Sequence, residues 1–160
     1  DRAENLMIVD LLRNDLGKHA AVGSVKVPKL FKVESFPQVH HLISDIRCVL
    51  KADSHPLDLL FDAFPGGSIT GAPKKRSMEI IAELENCDRA IYCGSIGYLN
   101  KAGDGVWNIA IRTLLRVQDE LYAWAGGGIV ADSECELEYE ECFNKIGAML
   151  ALLEDEFLTN

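Results

Sequence analysis

The chain has 160 residues, a mass of 17.7 kDa and a formal charge of -9 at neutral pH. A chain of this length is expected to form one domain around one sizeable core. Its 48% hydrophobic and 26% charged residues are typical of a globular protein and exclude a disordered or collagen-like chain. The acidic balance argues against a general nucleic-acid binder, and no apolar run approaches the ~20 residues that cross a bilayer.

The chain opens without Met and already inside a helical pattern, which predicts a segment of a longer polypeptide. Its five cysteines are scattered without a C-x-x-C pair. This spacing predicts neither a zinc site nor a disulfide framework, and it favours a reducing compartment such as the cytoplasm.

Hydrophobic periodicity and turn residues predict the elements in chain order. These are helix 3–17, strands 22–34 and 38–50, helices 56–64 and 73–85, strands 91–99, 106–116 and 120–130, and helix 133–157. Gly17 is expected to end the first helix, and helix is the alternative for 38–50. The order predicts the α+β class, an antiparallel sheet with packed helices and no internal repeat.

The first helix carries carboxylates on its apolar side. Glu4 lies in the middle of the arc formed by Met7 and Leu11, with Asp1 on the same side. A buried carboxylate is costly unless it is paired or bound to a metal. Metal ligand, ion-pair partner and exposed helix end therefore all remain open, and Asp15 shares the same arc.

The last helix repeats this pattern. Glu138, Glu141 and Lys145 form a stripe beside its apolar face. Acidic residues early in a helix also interact favourably with the helix dipole, which explains some of them but not their position beside the core. Two carboxylate pairs spaced i, i+3 on two helices can converge on one hard cation such as Mg²⁺.

The sequence also offers donors for an anion held by such a metal. Gly127 and Gly128 can present backbone N–H groups, and the turn that ends at Pro73 precedes a helix N-terminus. Arg112 and Lys145 supply positive charge. A structural ion pair for Arg112 and a simple tight turn for the glycines are the alternatives.

Two further sequence features do not by themselves indicate a catalytic function. Gly66 and Gly71 have the spacing of a Walker loop, but Ala72 stands where that loop requires lysine, which argues against nucleotide hydrolysis. His41 is more often a satisfied strand histidine than a catalytic group.

Six motifs together resemble the C-terminal part of the chorismate-utilising enzymes, and they cover essentially the whole chain. They are DRAENLMIVDLLRND, FPGGSITGAPKKRSMEII, YCGSIGYL, IAIRTL, AGGGIVADS and EYEECFNK. The resemblance implies part of that family's two-layered β-sandwich fold. It is strongest to the branch that forms 4-amino-4-deoxychorismate for folate synthesis. The alternatives are the anthranilate-forming branch and a non-catalytic chorismate-binding domain.

The resemblance also implies a cofactor and its ligands. Mg²⁺ is the expected cofactor and holds the ring carboxylate of chorismate. Glu4 and Glu141 match its direct ligands, and Asp1 and Glu138 match the outer acid of each pair.

Substrate contacts follow from the same resemblance. Tyr92 and Arg112 match the residues that hold the enolpyruvyl carboxylate of chorismate. The groups around the ring carboxylate match Gly127, Gly128 and Lys145.

The expected catalytic residues are His41, Thr70 and Ser24. His41 matches a histidine near the departing ring hydroxyl, Thr70 lies in a turn that lines the same pocket, and Ser24 is expected nearby. A glutamine amidotransferase subunit is the expected partner that supplies ammonia, with neither nucleic acid nor membrane as partner. Because a lysine of this branch lies upstream of the segment, the segment alone is expected to be inactive.

Overall fold

The computed structural model describes residues 2–36 and 39–157, and the side chains of residues 5–35 and 42–157. Two compact units are present, Asp1–Glu85 and Asn86–Asn160. No helix in the described part is long and apolar enough to cross a membrane.

The described residues of the first unit form four helices and one antiparallel pair of strands. In chain order they are α1 (Arg2–His19), β1 (Lys26–Phe36), β2 (Val39–Arg47), α2 (Pro56–Ala63), α3 (Gly67–Thr70) and α4 (Lys74–Leu84). The strand interpretation of the second predicted strand is confirmed, and α3 was not predicted. The register of β1 on β2 shifts between Lys26 and Lys32, and Pro28, which has no backbone donor, lies in this irregular stretch.

Most of the residues described as buried in this unit lie in or next to helix α1. Val9 is 3% exposed and Ala20, just past the helix end, is 4% exposed. The prediction that Gly17 ends the helix is wrong, because α1 continues to His19. Lys18, a basic residue in its last turn, interacts favourably with the helix dipole at this end.

The boundaries of α2 and α4 follow from local chemistry. His55 caps α2 by accepting the N–H of Leu57, and the Asp58 side chain accepts the N–H of His55, so the two residues form a reciprocal capping box. Pro73, predicted as a residue of the first turn, is instead the N-cap of α4, one position before the helix begins at Lys74.

In the second unit, the part of the chain that the structure describes forms two hairpins and a long helix. Its elements are β3 (Gly97–Leu99), β4 (Gly105–Trp107), β5 (Leu114–Val117), β6 (Glu120–Ala123) and α5 (Cys135–Phe157). Strand β3 pairs antiparallel with β4, and β5 pairs antiparallel with β6. The hairpin around Gln118 and Asp119 and the last helix are confirmed.

All three predicted strands of this unit are wrong in extent, and the last of them, 120–130, ends at Ala123. Residues 91–96 do not continue β3, because Cys93 adopts a φ of 65° within a turn. The predicted strand 106–116 is interrupted where Arg112 adopts a φ of 50°. Such left-handed conformations are incompatible with an extended strand. Within the described residues the strands therefore form three two-stranded antiparallel sheets with helices, which confirms the α+β class.

Candidate functional site

Three polar side chains of α5 converge on the backbone of Gly127. A Cβ built on Gly127 would lie 2.8 Å from Glu141 Oε2, 3.0 Å from Glu138 Oε2 and 3.7 Å from Lys145 Nζ. The two carboxylate oxygens thus lie within 3.0 Å of one point. The glycine loop, residues 126–128, and the acidic stripe of the last helix, which lie apart in the sequence, therefore form one cluster.

Helix geometry explains how α5 presents these groups together. Residues three and four positions apart project from the same helix face. Lys145 Nζ lies 3.0 Å from Glu141 Oε1 and donates a 3.1 Å hydrogen bond to the carbonyl of Gly126. Lys145 therefore balances one negative charge and ties the glycine loop to the helix.

Ser133 orients the second carboxylate. Its hydroxyl donates to Glu138 Oε1 at 2.5 Å and accepts the backbone N–H of Val130 at 3.0 Å. The segment after the glycine loop is thereby linked to the first turns of α5. Sequence reasoning missed Ser133, although its place just before an acidic helix start is a common capping signal.

Tyr92 approaches the same loop from a turn. Its Oη lies 2.8 Å from the point that a Cβ on Gly126 would occupy. The turn is held by the next residue, since the N–H of Cys93 donates to the carbonyl of the fully buried Ala110 at 2.9 Å. Burial raises the pKa of Tyr92 to about 12, with a further contribution from the neighbouring Cys93. The phenol is therefore neutral and able to donate a hydrogen bond at physiological pH.

Arg112 lies two residues beyond Ala110 and is exposed. Within the described residues its guanidinium has no ion-pair or hydrogen-bond partner, so the structural ion pair that was the alternative for Arg112 is not observed there. An unpaired guanidinium is available for bidentate binding of a carboxylate. Gly128 follows Gly127 in the loop and is also exposed.

The donor set of this cluster fits Mg²⁺. Mg²⁺ prefers oxygen ligands and often uses one or two protein carboxylates together with an anionic ligand and water. Glu138 and Glu141 provide two such carboxylates around the space left by the missing Cβ of Gly127. No group of three or more acidic, histidine or cysteine residues that could hold a metal occurs among the described side chains.

In the first unit, the two predicted site residues with described side chains form hydrogen bonds with the backbone. Thr70 ends α3, and its Oγ1 donates a 3.1 Å hydrogen bond to the carbonyl of Gly66. Ser24 Oγ donates to the carbonyl of Val49 at 3.1 Å and accepts the N–H of Val49 at 3.2 Å, which joins two loop segments.

Three predicted residues have no described side chain. His41 lies on β2, paired in register with Glu34, and Glu4 lies on α1. Asp1 lies outside the described residues. The roles predicted for all three stay predictions.

The family model described as chorismate binding enzyme matches residues 1–151. The chain therefore belongs to the chorismate-binding enzymes. It is 59% identical over 154 residues to aminodeoxychorismate synthase component 1 of Escherichia coli (strain K12), an alignment that covers 96% of this chain and 34% of that relative. It is 46% identical over 154 residues to anthranilate synthase component 1 of Aquifex aeolicus (strain VF5), covering 96% of this chain and 31% of the relative.

A solved structure confirms the predicted family fold. Anthranilate synthase component I from Streptococcus pneumoniae TIGR4 superimposes with a TM-score of 0.86 at 44% identity, covering 92% of this chain and 34% of that one. The chain thus spans about a third of the length of the relatives it matches.

Proposed function

We propose that this chain is the chorismate- and Mg²⁺-binding part of an enzyme that converts chorismate and glutamine-derived ammonia to 4-amino-4-deoxychorismate. The observation that carries the proposal is the convergence of Glu138, Glu141 and Lys145 on Gly127, with Tyr92 against the adjoining Gly126. Such a site suits an organic dianion bound to a metal ion. The carboxylate oxygens can hold the metal ion, and the ammonium and the neutral phenol can donate hydrogen bonds to the dianion.

In this proposal Glu138 and Glu141 hold Mg²⁺. The bound ion supplies positive charge that offsets the ring carboxylate of chorismate and withdraws electron density from the ring. Glu4 and Asp1 are proposed as further ligands on the family resemblance alone.

The remaining groups of the second unit bind and orient the substrate. Lys145, whose Nζ lies beside Gly127, and the backbone N–H groups of Gly127 and Gly128 are proposed as donors to the ring carboxylate on the family resemblance. Tyr92 donates its phenolic hydrogen, and Arg112 pairs with the enolpyruvyl carboxylate. Holding both carboxylates fixes the ring relative to the incoming nitrogen.

Thr70, His41 and Ser24 are proposed near the ring hydroxyl that leaves. Departure of a hydroxyl group requires a proton on its oxygen, and histidine is the usual donor near neutral pH. The threonine hydroxyl can orient the same oxygen. The backbone hydrogen bonds of Ser24 with Val49 favour a supporting position rather than proton transfer.

The 59% identity to an aminodeoxychorismate synthase component 1, against 46% to an anthranilate synthase component 1, favours the first branch. The word component in the relative's name supports a partner, which we propose is a glutamine amidotransferase subunit that supplies ammonia. No disulfide is present in the described part of the chain, which supports a reducing compartment such as the cytoplasm.

The test is a product assay on the full-length protein with chorismate, Mg²⁺ and ammonium. A product that gains nitrogen and keeps the enolpyruvyl group supports the proposal. Release of pyruvate with an aromatic amine assigns the protein to the anthranilate branch instead. Chorismate binding without any product indicates a non-catalytic binding domain.

A further inference from the structure

A lysine outside the predicted site joins both ends of the glycine-rich turn. We call residues 64–73, which include α3 and Thr70, the glycine turn. Lys74, the first residue of α4, donates from Nζ to the carbonyl of Ala63 at 2.8 Å and to Asp15 Oδ2 at 2.7 Å. Because Ala63 is the last residue of α2, one ammonium links the chain before and after the turn and ties both to α1.

Asp15 is the buried anchor of this link. It is only 4% exposed, and its second oxygen accepts a 3.1 Å hydrogen bond from Lys18. A buried carboxylate requires its partners, because an unpaired charge in the interior is strongly destabilising. The apolar-face position of Asp15 that the sequence left open is thus explained by an ion pair with a residue 59 positions away.

Close packing and an unusual backbone conformation make the position of the glycine turn sensitive to the contacts that flank it. Gly67 packs so closely on α1 that an added Cβ would lie 2.6 Å from Leu11 Cδ1. Gly71 adopts a φ of 107°, a conformation that favours glycine. The three glycines of the turn bring no side chains to pack, so the link that flanks the turn helps to hold its position.

We propose that Lys74 and Asp15 are positioning residues that hold the glycine turn, and with it Thr70, in the place that the reaction requires. The proposal rests on the proposed function, in which Thr70 lies near the departing hydroxyl. A small displacement of a catalytic group costs rate because the reacting geometry is lost, while substrate held by other residues still binds.

The experiment uses the full-length protein and measures kcat and KM for chorismate. Lys74→Met is expected to lower kcat by about tenfold or more and to change KM by less than about threefold. Lys75→Met is the matched control, because Lys75 is the exposed neighbour on the same helix, and its kcat is expected to stay within about twofold of wild type. Lys74→Arg keeps the cation and should retain more kcat than Lys74→Met.

A double variant separates positioning from stability. Lys74→Met alone leaves Asp15 without its closest cation and should lower the melting temperature. Adding Asp15→Leu removes the buried charge and should recover melting temperature, since replacing a buried pair by apolar groups is often neutral. We expect kcat to stay low in the double variant, because the link between Ala63 and α4 is still missing.

Each outcome has a distinct consequence. A kcat that recovers with the melting temperature in the double variant overturns the positioning role. So does a wild-type kcat in folded Lys74→Met, or an equal loss in Lys75→Met. If the wild-type protein forms no amination product, the proposed function fails and the positioning role fails with it. If the wild-type protein turns over normally and one of the first three outcomes is observed, only the positioning role is rejected and the proposed function stands.

Discussion

Glu141 and Gly127 are so close that Glu141 Oε2 lies 2.8 Å from the point that a Cβ on Gly127 would occupy. The φ of Gly127 lies outside the left-handed region, so its backbone does not itself require glycine. Glycine is needed there because the space beside it is shared by the carboxylates of Glu138 and Glu141. The site can therefore be tested by adding a single methyl group at Gly127.

Gly127→Ala is expected to lower the Mg²⁺-dependent affinity for chorismate by about tenfold or more, because the methyl group displaces both carboxylates from their common point. The clashing atoms are the ends of flexible side chains, so the free energy of unfolding should change by less than about 1 kcal/mol. Calorimetric titration of the full-length protein with chorismate, with and without Mg²⁺, measures the first quantity.

Gly147→Ala is the control, because a Cβ at Gly147 meets nothing within 4 Å. Gly147 lies inside α5, so alanine there should stabilise the helix by up to about 1 kcal/mol and leave chorismate affinity unchanged. Equal losses of affinity in the two alanine variants would contradict the role assigned to the space at Gly127.

Glu141→Gln is expected to abolish Mg²⁺-dependent chorismate binding. The amide keeps the size of the carboxylate but carries no negative charge for the cation, and it also removes the ion-pair partner of Lys145. Glu140→Gln is the matched control, because Glu140 is the exposed neighbour on the same helix. Mg²⁺-dependent binding that survives in Glu141→Gln, as measured by calorimetry, would remove Glu141 from the proposed ligands.

The acidic half of the cluster was predictable because it is local. Residues at positions i, i+3 and i+7 of one helix share a face whatever the rest of the chain does, so Glu138, Glu141 and Lys145 could be grouped from spacing alone. Their meeting with Gly127 depended on a loop whose path no periodicity encodes. The family motifs supplied that link.

Other features could not be predicted because they arise from tertiary contacts. The positive φ of Cys93 turns an apparently continuous strand into a turn that presents Tyr92. The partner of Asp15 is Lys74, and no pattern of helical spacing relates residues that are so distant in the chain. In both cases the arrangement involves a contact between residues far apart in the chain, from Cys93 to Ala110 and from Lys74 to Asp15.

Arg112→Ala is expected to weaken chorismate binding by about ten- to a hundredfold, the effect of losing one charge-assisted hydrogen-bonding group. Mg²⁺ affinity measured without chorismate should change by less than about twofold, because Arg112 carries no metal ligand. Arg116→Ala is the control, since Arg116 is exposed and contacts its own hairpin through Gln118. Equal weakening of chorismate and Mg²⁺ binding would instead assign Arg112 to the organisation of the fold.

The ionisation of Tyr92 gives a prediction about how stability depends on pH. Burial raises its pKa to about 12, above the ordinary value of about 10 for tyrosine. The folded protein therefore holds the phenolic proton more tightly than the unfolded chain does. Its contribution to the free energy of unfolding is fully present below the unfolded pKa, and it is lost as the pH rises from about 10 through about 12.

The measurement is the ultraviolet absorbance of phenolate in wild-type protein minus that of Tyr92→Phe, which isolates one of the four tyrosines. We expect the difference spectrum to appear near pH 12 rather than near pH 10, and the stability advantage of wild type over Tyr92→Phe to fall across the same interval. Tyr98→Phe is the control, since Tyr98 is 63% exposed. Ionisation of Tyr92 at the pH of an ordinary exposed phenol would show that its hydroxyl is not buried against the glycine loop, and the neutral donor proposed for the substrate carboxylate would lose its physical basis.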